Sequence, residues 1–197
     1  MNRVFSISAA VNARRRLPWL LISLIVVLVS CGGESGDTAS KAAPLQPAEF
    51  NACDLLSAAD AGRLMGEPVT KSDNTVQVSN SVSQCVHTFS EPRERLTLLI
   101  RHSKAGITPL SRAQEAEKQR SQTDDPVGGE MMAEVIEAGE DIEGIGDLAY
   151  AFDLAGINLW VFWGQNYQMT VTVSGVDDSA AALDIAKEAA QIVIGQF

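Results

Sequence analysis

Five groups of residues in this 197-residue chain have types or spacings that could do chemistry. The first is its two histidines, His87 and His102. As a general base, either would need a nucleophile beside it, and a serine hydrolase sets that serine on a strained, exposed turn. No G-x-S-x-G turn exists, and His87 sits between Val86 and Thr88 in a strand-like run, which favours a packed or edge histidine. The second group is Cys53, Cys85 and His87, which could begin a metal site but lack a fourth ligand at suitable spacing. The third is a run of nine acids with no Lys or Arg between Asp124 and Asp147. Clustered carboxylates suit calcium or a basic protein partner, but the spacing fits no EF-hand, and a solvated face is the plain reading. The fourth, Gly144-Ile145-Gly146, lacks the third glycine of a dinucleotide loop and precedes a strand rather than a helix, so it reads as a tight turn. The fifth is a sheet face. If Ile157, Leu159, Val161 and Trp163 point to a core, Trp160 and Phe162 point the other way, alongside Gln168, Thr170 and Thr172 of the next strand. Such a face could receive a ligand or partner, unless a loop such as 124–146 covers it. As a binding face it would tolerate alanine at Trp160 and Phe162 without loss of the fold. No catalytic residue, metal or cofactor is assigned.

The N-terminal residues carry an address. Residues 1–16 are basic, with Arg3, Arg14, Arg15 and Arg16 and no acid. Leu17 to Val29 is an apolar run broken only by Ser23, too short for a stable bilayer span, which needs about 20 residues. It ends in Leu28-Val29-Ser30-Cys31-Gly32, which resembles the lipobox of bacterial lipoproteins. The resemblance implies a signal peptide over 1–30, cleavage before Cys31, diacylglycerol on its thiol and N-acylation of the new terminus. It implies a palmitate-type anchor in the cell envelope. Gly32 replaces the aspartate that often holds lipoproteins at the inner membrane, so the outer membrane facing the periplasm is expected where two membranes exist. With Cys31 lipidated, Cys53 and Cys85 form an even pair in an oxidising compartment, most simply a disulfide.

Removing the four leader arginines from a chain of net charge −10 leaves −14. That balance argues against nucleic acid, whose binding displaces counterions with a basic patch, and against docking on anionic head groups. Residues 31–48 are small, polar and Pro/Gly-containing, a flexible tether. By the square-root rule its seventeen residues after Cys31 reach about 23 Å.

Residues 49–197 then read as a single globular α+β domain. Ser57 and Asp60 open a helix that ends at Gly66. Strand-like alternation follows over 75–79, 84–90 and 95–103, then a helix over 111–122 capped by Ser111. Asp124 to Gly129 reads as a loop, and 130–136 fits helix or strand equally. Runs rich in aromatic and β-branched residues predict strands over 148–153, 157–163 and 167–174, and a final helix covers 179–194. The expected product is one antiparallel sheet of about six strands in two three-stranded meanders, with helices packed on one face.

Cys53-x-Leu55-Leu56, the helix ending at Gly66, the cysteine at 85 and Gly144-Ile145-Gly146-Asp147-x-Ala149-Tyr150 together resemble a domain-of-unknown-function family of small bacterial lipoproteins. The resemblance covers roughly residues 50–195. It implies an exported α+β module whose two cysteines pair, and it brings no catalytic residue. The functional expectation is a non-enzymatic envelope lipoprotein that meets the membrane through Cys31 and binds a protein or small apolar ligand. An envelope hydrolase and a structural subunit of a membrane assembly are the alternatives.

Overall fold

A computed structural model describes residues 51–77, 81–122 and 124–197. The leader, Cys31 and the tether through residue 48 lie outside the described residues, as do Val78 and Ser79 of the first expected strand. The described elements run α1 (Ala52–Leu55), α2 (Ala58–Met65), β1 (Lys71–Gln77), β2 (Val82–Thr88), β3 (Arg95–His102), α3 (Arg112–Arg120) and α4 (Pro126–Ala138). They continue through β4 (Glu140–Asp141), β5 (Leu148–Asp153), β6 (Ile157–Trp163), β7 (Tyr167–Ser174) and α5 (Ser179–Ile194). The protein is α+β, with one open antiparallel sheet of seven strands in the order β1-β2-β3-β7-β6-β5-β4. The seventh strand is the two-residue β4, too short to leave an alternation pattern.

Alternation along β6 and β7 sorts their side chains between two cores. Leu159, Val161, Met169 and Val171 face the first core and are fully buried with Leu96, Leu98 and Ile100 of β3. Helix α5 lies over them through Ala182, Ala186, Ala189, Ala190 and Val193. Its alanines recur at helical spacing, and such small side chains let a helix lie close to a sheet. Asp178 starts α5 by accepting from the backbone amides of Ala180 and Ala181.

The opposite face carries a second core, and here the expectation of helices on one face is corrected. Tyr150, Phe152 and Phe162 point away from α5 and are buried with Ala116 of α3 and Ala133 and Ile136 of α4. Aromatic surface of that size stays out of water only under a cover, and the α3–α4 hairpin supplies it. The expected loop over 124–129 is likewise corrected. Asp125 caps α4 by accepting from the amide of Gly128, and Pro126 takes the first turn, where a missing amide costs nothing. A β-carbon at Gly129 would stand 2.4 Å from the Gln119 carbonyl oxygen, so glycine there lets α3 and α4 touch.

Cys53 and Cys85 form a disulfide, which pins α1 to β2. The bridge closes a loop with a sequence separation of 32, worth about 3–4 kcal/mol in the chain-entropy account. Replacing both cysteines by alanine is expected to lower stability by about that amount. Urea unfolding of the full chain, with and without reductant, measures it. Equal midpoints under both conditions would show that the bridge adds nothing.

Candidate functional site

Residues on the second face fall into rows set by strand register. One row runs Arg101 (β3), Gln168 (β7), Phe162 (β6), Leu148 (β5); the next runs Leu99, Thr170, Trp160, Tyr150; the third runs Thr97, Thr172, Asn158, Phe152. The α3–α4 hairpin buries the β5 end of these rows. Towards β3 the residues stay half-buried, and Arg101 is exposed. A cleft of about 280 Å³ opens where the cover stops. Arg101, Gln168, Trp160 and Phe162 line it from the sheet, and Glu115, Lys118 and Gln119 from α3. Ile107, Thr108 and Leu110 of the β3–α3 connection close its rim.

The α3 wall is built locally. Ser111 and Gln114 form a full capping box that fixes the helix start. Glu115 then turns inward with its side chain 4 % exposed. Lys118 donates to both of its oxygens at 3.0 and 3.1 Å, and Gln119 Nε2 donates to Oε1 at 2.7 Å. The carboxylate is thus charge-neutralised and hydrogen-bonded, as a buried acid must be. Tyr150 lies wholly buried beneath, its hydroxyl without a hydrogen-bond partner among the described residues. Burial, reinforced by the negative charge of Glu115, pushes this phenol well above its ordinary pKa, so it stays protonated. Its ring sits 5.7 Å from that of Trp160.

Three of the five residues expected to form a binding face therefore line the cleft: Trp160, Phe162 and Gln168. Thr170 and Thr172 lie in the next rows, where the Thr172 hydroxyl donates to Asn158. Phe162 is only 4 % exposed and belongs to the second core, so the tolerance of alanine expected there does not extend to it. Trp160, half-buried at the margin, is the ring a ligand can reach. Glu115 was not legible as a site residue, because a Glu amid the polar run Arg112–Arg120 looks like any solvated helix acid.

Three of the nine acids in the acidic stretch are ion-paired by arginines of α3. Arg120 pairs with Glu137 at 2.6 Å and Glu130 at 3.4 Å, and Arg112 pairs with Asp141 at 3.1 Å and donates to the Glu137 carbonyl. The hydrogen bond from Arg120 holds the Glu137 carboxyl below the ordinary range. Among the described residues no group of three or more His, Cys, Asp or Glu side chains could hold a metal ion. Gly144 and Gly146 both take positive φ, 79° and 63°, and between them Ile145 is buried in the first core, so this segment is a turn into β5.

The histidines stand apart from the cleft. His87 is fully buried on the first face. Leu56 O, 2.8 Å from Nε2, can only accept, so Nε2 carries the proton and Nδ1 accepts from Ser72 Oγ at 2.8 Å. This serine–histidine contact lies on an extended edge strand and is oriented by a neutral carbonyl, so it staples β1 and the end of α1 to β2. Burial holds His87 below its ordinary 6.5, against the opposing pull of the Leu56 carbonyl. His102 packs against Tyr167 with the rings tilted and their centroids 4.8 Å apart, and burial, then Lys104, depresses its pKa too.

Two outcomes follow from these positions. Phe162→Ala is expected to cost about 3–5 kcal/mol, as for a buried aromatic, and Trp160→Ala only about 1–2 kcal/mol. Urea midpoints decide; equal costs would mean that both rings serve the core alike. For His87 the neutral form is the folded one, so protonation favours the unfolded chain. Its contribution is whole above the unfolded-state value of about 6.5 and is lost as pH falls below that toward the depressed folded value. Stability should therefore decline as pH falls below about 6.5. His87→Leu should cost about 1–3 kcal/mol at neutral pH by leaving Leu56 O unpaired, yet flatten that decline in part, His102 supplying the rest. An unchanged slope in the variant would remove His87 from the account.

No family model matches the chain, and neither the curated proteins nor the solved structures contain a match to it.

Proposed function

We propose that the protein is an exported lipoprotein of the cell envelope, tethered through lipid on Cys31, whose domain over residues 49–197 is a non-catalytic binding or accessory module. The observation that carries this reading is the leader: a basic segment, an apolar run from Leu17 to Val29 too short to span a bilayer, and Leu28-Val29-Ser30-Cys31 at its end. Gly32 after the cysteine favours the outer membrane, facing the periplasm, where a cell has two. The likeness to the family of small bacterial lipoproteins is proposed on the Cys53-x-Leu55-Leu56 and Gly144–Tyr150 motifs. Among the described residues no helix is long and apolar enough to cross a membrane.

Two features support binding over catalysis. The cleft beside Trp160 joins apolar walls to fixed polar groups, the composition of a ligand site. Two groups suited to proton transfer are otherwise engaged, His87 by a carbonyl and a serine on the far face and Glu115 by Lys118 and Gln119, while His102 lies outside the cleft against Tyr167. A small apolar ligand or a protein segment is the partner this arrangement suits; nucleic acid is not, given the chain's acidity.

The anchor is tested in a bacterial host fed labelled palmitate. The wild-type chain is expected to take up the label, fractionate with membranes and yield a first residue that is acylated Cys31 by mass spectrometry. Cys31→Ser is expected to lose the label and persist as the longer precursor. A mature terminus elsewhere, or an unlabelled wild type, would overturn the lipoprotein reading.

A further inference from the structure

We infer that the cleft beside α3 takes a small amphiphilic anion, a compact apolar body bearing one carboxylate or similar oxyanion, with Arg101 as its anchor. This rests on the binding reading above and names the ligand class.

Charge is the first argument. The cleft holds two cations, Arg101 and Lys118, and one acid, Glu115. Lys118 spends its charge on Glu115 at 3.0 Å, which leaves Arg101 with no ion pair among the described residues. Its row neighbours are Val82 on β2 and Gln168 on β7, neither of them acidic. On the facing helix Glu115 is neutralised, and Gln119 is uncharged. The cleft therefore carries a local surplus of one positive charge on a strongly acidic chain. A cation would find its one carboxylate already taken, whereas an oxyanion meets a guanidinium whose planar fork matches it.

The walls supply the second argument. Trp160 and Phe162 from β6 meet Ile107 and Leu110 from the connection, an apolar seat directly beside the Arg101–Gln168 pair. Gln168 adds an amide donor next to the guanidinium. At about 280 Å³ the space lies near the lower end of ligand pockets, so the apolar body is smaller than a drug-sized molecule. The cleft is also open enough for Arg101 to remain hydrated while empty, so no buried charge waits unpaired.

The test uses the purified full chain in detergent with a micelle-only blank, and two fluorinated probes read by fluorine NMR. They are 4-(trifluoromethyl)benzoate and its neutral amide. The benzoate is expected to bind about tenfold tighter than the amide or better, and to weaken as salt rises while the amide does not. Arg101→Gln should bring the benzoate to the affinity of the amide, without altering the urea midpoint, since this side chain is exposed. Arg93→Gln, which lies outside the cleft, should change nothing. Equal affinity for the two probes, an unaffected Arg101→Gln, or absence of benzoate binding would each overturn the anion assignment. If both probes bind equally and Trp160→Ala abolishes both, the anion inference fails while the binding module stands.

Discussion

Strands β5 and β6 are apolar on both faces, and neither face can be left to water. Leu159 and Val161 point to one side, Tyr150, Phe152 and Phe162 to the other, and all are buried. A sheet apolar on two faces needs two covers, and the chain makes them from different segments. Helix α5 comes after the last strand and lies on the first face; α3 and α4 interrupt the strands and lie on the second. The second cover is shorter than the sheet is wide. Where it stops, the rows that begin with Tyr150 and Phe162 continue into Thr170, Gln168 and Arg101. The cleft follows from that mismatch between a short helical hairpin and a wide sheet.

Electrostatics settle how the hairpin is dressed. The chain is strongly acidic, and residues 124–147 hold nine acids and no Lys or Arg. Read alone, that run invites a cation or a basic partner. In the fold Arg112 and Arg120 of α3 stand opposite Glu130, Glu137 and Asp141. Such exposed pairs add little energy each, yet they fix which faces of α3 and α4 meet. The same helix turns Glu115 inward and Lys118 to meet it, so α3 sends charge both ways. Arg101, on the sheet, is left over.

Much of this was legible in the residues, and the failures share a cause. Alternation in Ile157–Trp163 and Tyr167–Ser174 separated Leu159, Val161, Met169 and Val171 from Trp160, Phe162, Gln168 and Thr170, because a period of two leaves one choice once a core is assumed. Parity of the cysteines anticipated the Cys53–Cys85 bridge. Helix α4 was obscured because Pro126-Val127-Gly128-Gly129 is loop chemistry by local propensity; tertiary packing against α3 overrides it, and Gly129 is the trace of that contact. The two-faced sheet was missed for a related reason. Tyr150 and Phe152 alternate with alanines, Ala149 and Ala151, so no polar partner marked a wet side of β5, and the run itself was the signal that both faces are dry. Burial of Glu115 left no local mark at all, since what neutralises it lies on its own helix three and four residues on and resembles ordinary surface pairing.

The two faces are not fastened alike, and that bears on where a ligand can act. On the first face the disulfide binds α1 to β2 covalently. His87 ties Leu56 and Ser72 across three elements there, and Ser83 accepts the first amide of α1. On the second face α3 and α4 are fastened by exposed ion pairs and by the aromatic surface beneath them, with no covalent tie. Local opening draws on the least secured elements first, so the hairpin is expected to open before the sheet does. A ligand seated between Trp160 and α3 would add contacts to that cover, and binding there would stabilise the folded domain by an amount that grows with the logarithm of affinity.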